Sequence, residues 1–92
     1  MARIDIKHPF TVPAEQLREQ LAEMIDELAH KYSLNYRWDT QDCLSFSRSG
    51  SKGQINIEGQ QLSFSMSMGL MMSTFKSVIE KDVRKYLVEN VA

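Results

Sequence analysis

Two runs of strict apolar/polar alternation, separated by a glycine-bearing stretch, constrain this chain more than any other feature. Cys43-Leu44-Ser45-Phe46-Ser47-Arg48 and Gln54-Ile55-Asn56-Ile57 flank Ser49-Gly50-Ser51-Lys52-Gly53. Successive side chains of a strand point to opposite faces, so Leu44, Phe46, Ile55 and Ile57 share one face and the polar residues take the other. The pattern describes a half-buried β-hairpin. Everything else in the chain has to cover the apolar face.

Three further segments alternate in the same way. Ile4 and Ile6 are interleaved with Arg3, Asp5 and Lys7, and His8-Pro9 should end that strand because proline cannot donate to a ladder. Tyr36 and Trp38 place two aromatics on one face of a strand that stops at the turn-forming run Asp39-Thr40-Gln41-Asp42. After a tight turn at Glu58-Gly59-Gln60, Leu62, Phe64, Met66 and Met68 alternate with Ser63, Ser65 and Ser67. The four consecutive strands make an antiparallel meander, and its wet face is nearly all serine.

Helical periodicity appears twice. Leu17, Leu21, Met24, Ile25, Leu28 and Tyr32 form one apolar stripe after Pro13, a residue that the first helical turn tolerates. The opposite side carries Glu15, Glu19, Glu23 and Glu27, a solvated acidic row or a docking ridge for a basic partner. Near the C-terminal end Phe75, Val78, Ile79, Val83, Tyr86, Leu87 and Val91 form a second stripe, with Ser73 as its expected N-cap. That helix is close to neutral as a whole.

The expected fold is α+β: a five-stranded antiparallel sheet in the order β-α-β-β-β-β-α, strand order 2-3-4-5-1, with both helices on one face. It resembles a reduced helix-grip arrangement, an analogy of fold that carries no function. Ninety-two residues suffice for a single domain, 1–92. The formal net charge of −1 gives no electrostatic footprint for nucleic acid. The lone Cys43 rules out an internal disulfide and fits a reducing cytoplasm, and no segment is apolar enough for a signal peptide or a transmembrane helix.

Residues for chemistry are few. Nothing in the sequence brings His8 or His30 to Cys43 or to a serine, and no ligand cluster suggests a metal or a cofactor, so the expectation is a non-enzyme. Three features are candidates for binding. Arg48, Ser49, Gly50, Lys52 and Gly53 combine glycines with two cations, as an anion-holding loop would. Leu70, Met71 and Met72 lie in a connection from which all three cannot point inward, which suggests an apolar contact patch for an oligomer mate or a lipid-like surface. Trp38, Phe46, Phe64 and Phe75 would line a groove for a small hydrophobic ligand if the last helix stood off the sheet. The uncharged serine face offers an alternative homodimer surface.

The start Met1-Ala2-Arg3-Ile4-Asp5-Ile6, then Tyr36-x-Trp38, then Leu44-x-Phe46-x-Arg48-Ser49-Gly50-x-Lys52-Gly53-x-Ile55, and finally Leu70-Met71-Met72 before Phe75-Lys76-x-x-Ile79-Glu80 carry a family resemblance. The chain resembles the small polyhydroxyalkanoic acid system proteins, the granule-region family of bacteria. Thr74 stands where that family's pattern has a proline opening the last helix. The resemblance implies an accessory protein near the polyhydroxyalkanoate granule, whose partners are other proteins of that system or the granule surface. It assigns no reaction and no binding residue.

Overall fold

The computed structural model describes residues 2–48 and 50–91. The elements are β1 (Ala2–Pro9), α1 (Ala14–Tyr32), β2 (Asn35–Thr40), β3 (Cys43–Arg48), β4 (Ser51–Glu58), β5 (Gln61–Met68), a short α2 (Leu70–Ser73) and α3 (Lys76–Asn90). The strands form one antiparallel sheet in the order β1-β5-β4-β3-β2, as the alternation predicts. The first two strands are the two edges of the sheet, so α1 has to cross its whole width between them.

Register makes the two faces explicit. Ile4, Met66, Gly53, Phe46 and Tyr36 stand in one row across the sheet; Ile6, Phe64, Ile55, Leu44 and Trp38 stand in the next. These rows meet the helices. Leu17, Leu21, Met24, Ile25, Leu28 and Tyr32 of α1, with Ile79, Val83 and Leu87 of α3, complete a single core with them. The buried set of α1 is the stripe read from its sequence. Closing this core removes side chains such as Phe46, Phe64 and Leu44 from water, at about 25 cal/mol per Å² of apolar surface.

Both ends of α1 follow from local chemistry. Pro13 precedes it with φ −59°, and Ser33 ends it in the left-handed region at φ 58°, where the Leu34 N–H reaches the Ala29 carbonyl at 3.0 Å. The two long helices run side by side. Tyr86 donates to the Gln20 carbonyl at 3.0 Å, Lys31 pairs with Asp82 at 2.8 Å, and the Tyr32 and Phe75 rings lie 5.8 Å apart.

The first strand ends at Pro9, its last paired residue opposite Gln61, as expected of a proline on an edge strand. Three local expectations need correction. Ser73 does not cap the final helix: it ends α2 with its hydroxyl on the Leu70 carbonyl, and α3 starts after Phe75 without a side-chain cap. The extra turn α2 arises because Met72 is pulled into the core, which rotates Leu70 and Met71 outward. Finally, Phe75 and Val78 of the expected stripe are 41% and 46% exposed: α3 turns Ile79, Val83 and Leu87 to the core, which leaves Val78 on the outward side, and Phe75 precedes the helix and leans on Tyr32.

Candidate functional site

The candidate anion-holding loop lies in the hairpin that the flanking alternation predicts. The connection from β3 to β4 is a tight turn in which Arg48 already pairs with Ser51, and Lys52 and Gly53 belong to β4. Gly50 adopts φ 81°, the left-handed turn conformation that glycine accepts without strain. Ser49 lies outside the described residues.

Strand alternation sends the two cations to opposite faces. Arg48 sits on the helix side, where its guanidinium donates to the Tyr32 carbonyl at 3.0 Å and touches the Met72 sulfur at 3.5 Å. It therefore serves the negative end of the α1 dipole, as a cation at a helix C-terminus does. Lys52 is exposed on the other face, between Ser47 and Ser67. No shared anion can sit between them.

Two of the other glycines, Gly53 and Gly69, permit close approach. A Cβ on Gly53 would lie 2.5 Å from Phe46 Cζ and 2.5 Å from the Ser65 carbonyl, so the Phe46 ring lies over the bare backbone and stacks on Phe64 at 5.3 Å. A Cβ on Gly69 would meet the Gly50 carbonyl oxygen at 2.6 Å. Ser51, the buried polar residue of this corner, accepts the Gly69 N–H at 3.1 Å. Arg48, Gly50, Ser51 and Gly53 thus clamp the β3–β4 turn, the end of β5 and the end of α1 together.

The four rings expected to line a groove are dispersed. Phe46 and Phe64 are 2% and 1% exposed within the core. Trp38 is half-buried beside Arg18, Glu19 and Ala22 of α1, while Phe75 leans on Tyr32 at the far corner.

Two of the three residues of the candidate apolar corner are exposed. Met72, included in the candidate patch, is 2% exposed and belongs to the core. Leu70 and Met71 are 91% and 79% exposed, and Val88 is 75% exposed on α3. Sequence reading missed the cations that accompany them. Val78, Lys81, Arg84, Lys85 and Val88 are all exposed and recur at helical spacing, opposite the buried Ile79, Val83 and Leu87. Glu80 holds Arg84 at 3.2 Å and Lys76 at 3.7 Å, whereas Lys81 and Lys85 enter no ion pair among the described residues.

The open face of the sheet is polar. Arg3, Ser67, Lys52, Ser47 and Asn35 form one row and Asp5, Ser65, Gln54, Ser45 and Arg37 the next, around a shallow concavity of about 620 Å³. Arg3 pairs with Asp5 and Arg37 with Asp39, each at 2.9 Å, and Ser45 donates to Asp39 as well. The Ser45 hydroxyl and Arg37 together hold the Asp39 carboxyl below the usual carboxylate range. His8 contacts the Val91 carbonyl at 3.0 Å on the helix side, and His30 contacts its own helix at the Asp26 carbonyl; Cys43 is half-buried on the open face.

The profile of the family described as putative polyhydroxyalkanoic acid system protein (PHA_gran_rgn) matches residues 4–91. The chain belongs to this family. A comparison with the curated proteins finds no match. For this member of the family, no helix of the described residues is long and apolar enough to cross a membrane. Every motif that carried the resemblance now has a position: the glycine signature braces the fold, and Leu70-Met71 projects from it.

Proposed function

We propose that this protein is a non-enzymatic accessory protein of the polyhydroxyalkanoate system that works in the cytoplasm by docking, through the corner built by α2 and the start of α3, on the storage granule or on a protein held there. The observation that carries the proposal is the exposure of Leu70 and Met71, at 91% and 79%, on a chain whose other large apolar side chains are mostly packed away. Water is a poor environment for adjacent leucine and methionine side chains, and flexible methionine adapts to irregular apolar surfaces. The patch is too small to dissolve a helix in polymer, so docking by a few side chains fits it better than insertion of a helix. The rings of the alternative ligand groove are spent on the core and on separate corners, which leaves the corner as the better-supported contact.

Co-sedimentation with purified granules is the test. The wild-type protein is expected in the pellet, and Leu70→Ser with Met71→Ser is expected to shift it to the supernatant without loss of folding. A wild-type protein that stays wholly in the supernatant, with or without granule proteins present, refutes the proposal.

A further inference from the structure

The helix layer is divided by charge. The exposed side of α1 carries Glu15, Glu19, Glu23, Asp26 and Glu27, whereas the outward stripe of the neighbouring α3 carries Lys81, Arg84 and Lys85. Summed over its length α3 is nearly neutral, but its carboxylates Glu80 and Asp82 are half-buried at the flanks, each in an ion pair. Glu89 stands at the margin of the stripe. Lys81 and Lys85 enter no ion pair among the described residues and Arg84 holds Glu80; these three cations alternate with exposed Val78 and Val88, and the chain leading into this helix presents Leu70 and Met71.

We infer that this surface docks on an anionic lipid layer, with Lys81, Arg84 and Lys85 at the headgroups and Leu70 and Met71 entering the acyl boundary. Basic side chains beside protruding apolar ones fit a negatively charged amphiphilic surface, because the long cationic stems reach the headgroups while the apolar groups leave water. The acidic side of α1 would be repelled by the same layer, so only one edge of the protein can face it. A second copy of the chain fits less well. Its α1 ridge could meet the cations, but none of the exposed large apolar residues among those described lies on α1, so a copy docked by that ridge would leave Leu70 and Met71 uncovered.

The inference deepens the granule-docking reading and rests on it for its biological setting, but its test is independent of granules. Flotation is measured with phosphatidylcholine vesicles and with vesicles of phosphatidylcholine and phosphatidylglycerol, at low and high salt. Binding to the anionic vesicles alone, weakened by salt, is expected. At about fivefold per cation, Lys81→Gln with Arg84→Gln and Lys85→Gln should lower the partition coefficient by about a hundredfold. These positions are exposed, and circular dichroism with solution mass checks that the variant is folded and in the same oligomeric state. Equal binding to both vesicle types, binding to neither, or a change of solution mass in the triple variant overturns the lipid assignment. If granule co-sedimentation persists while vesicle binding fails, the docking reading stands and the lipid inference alone falls.

Discussion

Gly53→Ala should be among the most damaging single-methyl additions available in this protein. The added Cβ would sit 2.5 Å from Phe46 Cζ and 2.5 Å from the Ser65 carbonyl oxygen. The carbonyl belongs to the adjacent strand and can move only with the ladder, while Phe46 is 2% exposed and stacked on Phe64. Overpacking of a filled core costs about 1–3 kcal/mol, and two rigid obstacles place this site at the upper end, about 3 kcal/mol. For a domain of this size each kcal/mol lowers Tm by about 4–8 °C, so a fall of about 12–24 °C is expected by calorimetry or urea-calibrated melting. Gly50→Ala is the control: its Cβ meets open space, and only the φ of 81° penalises it, by about 1–2 kcal/mol. Phe46→Leu in the Gly53→Ala background should recover about 1 kcal/mol relative to additivity, since it removes one obstacle and leaves the other. A Gly53→Ala variant within about 0.5 kcal/mol of wild type would refute the close-approach account.

Other perturbations test the same structure from different sides. Arg48→Gln removes the cation at the end of α1 and should cost about 1–2 kcal/mol in urea unfolding, with phosphate failing to stabilise either protein. Ser51→Ala leaves the Gly69 N–H without its acceptor and should cost a similar amount, about 1–2 kcal/mol. Ser33→Gly relieves a left-handed residue at φ 58° and should raise stability by about 0.5–1 kcal/mol in the same assay. Lys31 and the Tyr32 hydroxyl hold the Asp82 carboxyl below its usual range against partial burial. A depressed carboxylate pKa contributes stability that is complete above the ordinary Asp value of about 3.9 and is lost as pH falls through the folded value. Wild type and Asp82→Asn should therefore differ at pH 7 and converge in strongly acidic buffer; a constant gap in urea midpoint would refute the coupling.

The fold was legible because its pattern is redundant. Five alternating segments, each with apolar residues on one parity, admit one sheet with one buried face, and two helical stripes have nowhere else to go. Strand order followed from short turns and from the single crossover. What escaped was anything decided by which face a residue takes at an element's end. Arg48 and Lys52 are four residues apart and look like one cationic loop, yet a two-residue turn keeps them within alternating strands and sends them to opposite faces. Glycine in Gly53 and Gly69 reads as loop freedom, whereas here it makes room for a ring and for a carbonyl, contacts between segments distant in sequence. Met72 could not be told from Met71 because a four-residue helix is too short to show a period.

The same consideration explains why the charge on α3 was invisible to a sum. Lys81, Arg84 and Lys85 are offset in the total by Glu80, Asp82 and Glu89, but a partner meets a face and not a total. Asp82 is turned toward α1 by its bonds to Lys31 and Tyr32, and Glu80 is tied between Lys76 and Arg84 at the flank. The packing that builds the core thus also sorts the charges, because Ile79, Val83 and Leu87 fix the rotation of the helix and with it the side on which the free cations emerge. Shifting that rotation, for instance by Val78→Leu with Val83→Ala, should weaken anionic-vesicle binding without changing a single charge; unchanged binding in a folded variant with a rotated α3 would break the link between core and surface.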